Sequence, residues 1–129
     1  MAVKDFKTRV KIKAEIEDVY AALTNPFTIE LWSGYPATMP AQIPGEFEMW
    51  EGDISGRILE LEPENKIVQE WYFGEQEATS LATIKLFPQG GKVQVEVTHT
   101  NIPEEAYDDI AEGWEKFILG AIQEFLEID

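Results

Sequence analysis

The sequence predicts an α+β fold in a single domain, residues 1–129: a curved antiparallel sheet wrapped around a long C-terminal helix, with two short helices after the first strand. Three observations predict it. The last segment, Ile102 to Glu127, spaces Ile110, Trp114, Phe117, Ile118, Ala121, Ile122, Phe125 and Leu126 so that a helix gathers them into one broad apolar stripe. From Gly45 to Thr100 the chain instead consists of short strand-like runs separated by turn residues. Before that, one strand-like run passes directly into helical spacing.

Phe6, Thr8, Val10 and Ile12 alternate with Lys7, Arg9, Lys11 and Lys13, the period of a half-buried strand. Ile16, Val19, Tyr20 and Leu23 then share a helical face, giving a first helix over 14–24. Asn25 and Pro26 end it and start a second, because Asn caps a helix N-terminus and Pro suits its first turn. That helix carries Phe27, Ile29, Leu31 and Trp32 and closes at Gly34. Tyr35 to Pro44, with three prolines, reads as an extended loop holding at most one poor strand.

Five strands follow, at 45–50, 55–62, 66–73, 80–87 and 92–100. Their short connections imply an antiparallel meander. Alternation turns Val93, Val95, Val97 and His99 inward, with Ala82, Ile84 and Leu86 beside them, then Ile67, Gln69, Trp71 and Phe73, and then Phe47 and Met49. Ile58 and Leu59 are adjacent and point to a bulge. Pro103, Glu104 and Glu105 mark the start of the long helix. Gly113, inside it, signals a break or the close approach of another backbone.

The chain has no cysteine and a formal net charge of -15. Disulfides, thiolate metal sites and a thiol nucleophile are excluded. So acidic a surface repels phosphate backbones and anionic headgroups, so neither nucleic acid nor a membrane is an expected partner. The N-terminus lacks the apolar run of a signal peptide, and a cytoplasmic location is expected. No cofactor-binding or metal-binding motif is present, and the acids at Glu51 and Asp53 read as solvated turn residues.

Ile12-Lys13-Ala14 leads into Val19 to Pro26 and then Trp32; Pro44-Gly45 precedes Phe47; Gly56 stands with Ile58; Pro63 precedes Ile67, Val68 and Trp71; Thr98-His99 is followed by Gly113-Trp114. In that order and at those intervals the chain resembles the helix-grip fold of the START-related and birch-pollen-allergen-like superfamily. Within it, the chain resembles the family related to the activator of the heat-shock protein 90 ATPase. The resemblance implies a sheet curled around the C-terminal helix, often with a cavity between them. Members of the superfamily carry apolar ligands, cyclise polyketides or, in the eukaryotic activator, stimulate a chaperone ATPase. That activator also draws on a separate N-terminal domain, which these 129 residues do not contain.

The plainest account of Trp32, Trp50, Trp71 and Trp114 is core packing. The functional account is a pocket for a small apolar or aromatic molecule lined by Trp32, Phe47, Met49, Trp71, Phe73, Trp114, Phe117 and Ile118, with Gln69 and His99 as its polar groups. His99, the lone histidine, reads first as a hydrogen-bonded core residue. As a general base it would need an orienting carboxylate, and none can be placed beside it. Non-catalytic ligand binding is therefore the expected function. The alternatives are a chaperone-cofactor-like interaction module and a cyclase or proton-transfer enzyme using His99.

Overall fold

The computed structural model describes residues 2–74, 76 and 78–127. Its elements are β1 (Val3–Ile12), α1 (Ile16–Thr24), α2 (Pro26–Ser33), β2 (Gly45–Met49), β3 (Ile54–Glu62), β4 (Lys66–Trp71), β5 (Ser80–Pro88) and β6 (Val93–Pro103). A C-terminal helix follows in three parts: α3 (Tyr107–Glu112), a π-helical segment (Gly113–Ile118) and α4 (Leu119–Leu126). The six strands form one antiparallel sheet in the order β1-β6-β5-β4-β3-β2, curved around the C-terminal helix. Strands β2 to β6 are the predicted meander. β1 adds to its far side, pairing with β6 from Val3↔Pro103 to Ile12↔Val93.

The predicted inward rows are buried except for Phe73, which lies beyond the end of β4 and is half-buried. Val93, Val95, Val97 and His99 face the helix beside Ser80, Ala82, Ile84 and Leu86, and next to them lie Ile67, Gln69 and Trp71. The bulge falls where expected: Ile58 pairs with Gln69 but Glu60 with Val68, so Leu59 is the extra residue. Gly56, between Phe47 and Trp71 in the ladder, has no room for a side chain, since a Cβ there would run into the carbonyl oxygen of Glu70. The backbones of β3 and β4 approach closely at that point. The outer edge of β2 is met by Thr38, which exchanges both backbone hydrogen bonds with Glu48, so the expected loop contributes a single bridge. The turn expected over 74–79 includes residues 75 and 77, which lie outside the described residues.

The α2 boundaries follow the predicted chemistry. The Asn25 side chain accepts from the N–H groups of Phe27 and Thr28, and Gly34 closes the helix in the left-handed conformation at φ 83°. Trp32 donates its indole N–H to the Ala22 carbonyl at 2.7 Å and thereby ties α2 to α1.

The C-terminal helix departs from expectation in two ways. It starts later: Ile102 and Pro103 finish β6, a 3-10 turn takes up Glu104–Ala106, and Tyr107 begins the α-helix. Its apolar face also changes phase. Trp114, Ile118, Leu119 and Ile122 are buried, whereas Phe117, expected on the buried stripe, is 58% exposed. The cause is the π-helical segment. Bonds reaching five residues back turn the chain less per residue than α-helical ones, so Phe117 swings off the sheet-facing side and Leu119 swings onto it. Gly113 opens this segment, in keeping with a break. The other reading of it fails, because a Cβ at Gly113 would have no neighbour within 4 Å. The close approach is at Gly120, where a Cβ would lie 2.7 Å from the Glu115 carbonyl oxygen, five residues back.

Candidate binding site

The centre of the molecule is an aromatic cluster on a directional hydrogen-bond chain. Trp114 of the π segment donates its indole N–H to His99 Nδ1 at 2.9 Å. An indole nitrogen can only donate, so Nδ1 must be the acceptor and the ring proton sits on Nε2. Nε2 is 2.9 Å from Ser80 Oγ, whose own hydroxyl reaches the Thr100 carbonyl at 2.9 Å. Every group thus has one consistent role. Trp71 packs edge-on against His99, with centroids 4.7 Å apart, and lies 5.2 Å from Trp114, while its indole N–H is taken by Gln69 Oε1. Among the described residues, no buried side-chain nitrogen or oxygen lacks a partner.

This arrangement makes His99 a neutral structural residue. It is fully buried, and desolvation pushes its imidazole down to about 4. The Nδ1 lone pair is engaged by Trp114 and Nε2 already carries the proton. Neither nitrogen is free to take one from a substrate, so the proton-transfer role considered for His99 has no geometric basis.

Among the described residues, the space between sheet and helix is nearly filled. Where Leu23, Met49, Gln69, Trp71, Trp114 and Ile118 converge, only about 10 Å³ remains, no more than one water could fill. The ten residues expected to line a pocket therefore separate. Phe47 and Met49 are core residues of β2, Gln69 and His99 hold indole N–H groups, and Phe73, beyond the end of β4, packs half-buried against Trp71 and His99. None of these five lines the open cleft beside the C-terminal helix.

The other five do. Trp32, Trp71, Trp114, Phe117 and Ile118 border an open cleft of about 610 Å³ between the C-terminal helix on one side and α2 with the start of β3 on the other. Trp71 and Trp114 are its floor. Trp32 forms a wall with Trp50, edge-to-face at a centroid distance of 5.7 Å. Trp50 begins the 3-10 turn Trp50–Gly52 with a φ of 50°, a left-handed conformation unusual for a bulky side chain. Phe117 projects at the mouth, which it can do only because the π segment has turned it off the sheet. Asp53, Asp109 and Glu124 stand at the rim. Pattern reasoning left Trp50 and these acids out of the site, although the Trp50-to-Asp53 turn directly before a strand was the available signal.

Comparison with known proteins agrees with this architecture. Residues 13–127 match the family described as Activator of Hsp90 ATPase homolog 1-like protein. The human activator of 90 kDa heat shock protein ATPase homolog 1 is 27% identical over 110 residues, covering 84% of this chain and 32% of the relative. The Dictyostelium discoideum homologue is 27% identical over 123 residues, or 93% of this chain and 32% of that protein. The chain thus spans about a third of the length of the curated relatives it matches. Among solved structures, an HSP90 activator from Plasmodium falciparum superposes with a TM-score of 0.86 at 23% identity, covering 95% of both chains. The Aha1 dimer from Colwellia psychrerythraea gives 0.82 at 21% identity, covering 97% of both. At those identities the structural likeness is one of fold. The family match covers almost the entire chain, from the end of β1 to the last turn of α4, and on that ground this protein belongs to the Activator of Hsp90 ATPase homolog 1-like family.

Proposed function

We propose that this chain is a non-catalytic protein-interaction module of chaperone-cofactor type, that its partner is a chaperone of the Hsp90 class, and that the open cleft is its contact surface. The observation carrying this reading is the contrast between a filled interior and an open, tryptophan-walled cleft with Phe117 at its mouth. A carrier that encloses its ligand needs an interior volume. A docking surface needs accessible aromatic anchors, which the exposed Phe117 and the half-buried Trp32 and Trp50 supply. The names of the relatives point to the partner class.

The test is calorimetric titration with the Hsp90-class chaperone of the same cell, together with its ATPase rate. Binding is expected, and Phe117→Ala should weaken it about tenfold, as befits an anchor residue, while leaving the circular dichroism spectrum unchanged. No complex at micromolar concentrations would remove the chaperone reading.

A second reading keeps the cleft but changes its occupant. Its volume of about 610 Å³ lies in the range of small-molecule sites, and its floor is aromatic, so a small apolar molecule would also fit. Native mass spectrometry of the purified protein, with analysis of anything released on denaturation, tests this. Empty protein, together with tryptophan fluorescence unmoved by a panel of apolar compounds, would end the carrier idea.

A further inference from the structure

Building on the cleft reading above, we infer that the cleft takes a partner segment carrying an arginine or lysine next to an apolar anchor side chain. Two kinds of surface meet there. The walls are aromatic: Trp32 and Trp50 on one side, Trp71 and Trp114 below, Phe117 at the mouth. The rim is acidic, with Asp53, Asp109 and Glu124, and among the described residues none of these three makes an ion pair. Among the described residues the one cation lining the cleft is Lys116, which is held by Glu112 at 3.3 Å on the same helix.

This combination selects charge as well as shape. Aromatic ring faces attract cations, guanidinium most often, and the flanking carboxylates add to that attraction. An anionic segment would be repelled both by the rim and by a chain of net charge -15. A purely apolar segment would cover the three carboxylates without supplying a counter-charge, and their desolvation would then oppose binding. A segment pairing an aliphatic or aromatic side chain with a cation satisfies both surfaces at once.

The probe is the peptide acetyl-Leu-Arg-Leu-amide, with the citrulline peptide as its neutral isostere. The readout is the indole N–H resonances of the four tryptophans in ¹⁵N-labelled protein. The arginine peptide should shift the Trp32 and Trp50 resonances, and the citrulline peptide should bind about fivefold more weakly, the size of one exposed cation–π contact. Raising salt should erode the difference, and the triple variant D53K/D109K/E124K should abolish it. If that variant misfolds, the salt titration and the exposed single variant E124K, which should reduce the preference, carry the test. Equal affinity for the two peptides, or no shift from either at millimolar concentration, overturns the inference. Peptide selectivity without chaperone binding would leave the cleft chemistry standing and remove the Hsp90-class partner. Chaperone binding without selectivity would do the reverse.

Discussion

His99 ties the stability of this fold to pH in a way that can be calculated. Its imidazole titrates near 6.5 in an unfolded chain and is held down to about 4 in the folded one, because burial penalises the charged ring. Between those values the unfolded chain binds a proton that the folded chain does not. Stability therefore rises with pH across that window, is complete above the unfolded value and is lost as the pH falls. From pH 7.5 to pH 5 the loss from this one residue is about 2 kcal/mol. The hydrogen bonds give the same sign, since a second ring proton on Nδ1 would point at the Trp114 N–H and break that contact. Urea unfolding at pH 7.5, 6.5, 5.5 and 5.0 measures the effect, stopping short of the sequence pI near 4.3, where solubility is lowest. Carboxylates with lowered values, such as Glu62 beside Lys66 and Glu127 under the Lys13 N–H, lose stability mostly at still lower pH. The control is His99→Gln, which offers a donor and an acceptor but cannot titrate. It should be less stable than the parent at pH 7.5, and its curve should be flatter than the parent's by about 2 kcal/mol between pH 7.5 and 5. Parallel curves for the two proteins would refute the reasoning.

Two glycines of the C-terminal helix should respond in opposite directions. Gly113→Ala meets no neighbour at a helical φ of -58° and should stabilise by up to about 1 kcal/mol. Gly120→Ala meets the Glu115 carbonyl at 2.7 Å and should destabilise by about 1–3 kcal/mol. Thermal melts of both variants decide this, and equal shifts would contradict the π-helical geometry. Asn25→Ala removes the acceptor for two N–H groups at the start of α2 and should cost about 1 kcal/mol in urea unfolding, whereas Asn25→Ser should restore most of it. Gly56→Ala drives a methyl into the Glu70 backbone of the neighbouring strand and should cost about 3 kcal/mol or more, read as a lowered urea midpoint.

The sheet was legible because its signal is local and repeated. Val93, Val95, Val97 and His99 alternate with polar residues, one face is buried, and a slip of one residue would turn the whole row outward. Asn25, Pro26 and Gly34 likewise carry boundary chemistry in their own side chains or lack of them. The phase of the C-terminal helix was not legible. Phe117 sits at helical spacing from Trp114 and Ala121, and nothing in apolar periodicity distinguishes an α from a π segment. The relevant residue was Gly120, whose missing Cβ admits the Glu115 carbonyl, and that meaning emerges only in three dimensions. The site was half readable for a similar reason. Residue types showed that Trp71, Trp114 and Met49 belong near one another, but whether large side chains leave a void or fill it depends on interlocking shapes.

Pairing β1 with β6 has a kinetic consequence. Val10 meets Val95 and Phe6 meets His99, so β1 has no partner in the sheet until about 90 further residues have been made. Throughout that interval β1 is an unpaired strand with an apolar edge, the kind of segment that recruits other chains. Lys7, Arg9 and Lys11 interrupt it at every second position and remain exposed in the finished fold. Of the ten lysines and arginines in the chain, β1 holds four, Lys4 included, and like-charge repulsion between nascent copies disfavours their pairing before β6 arrives.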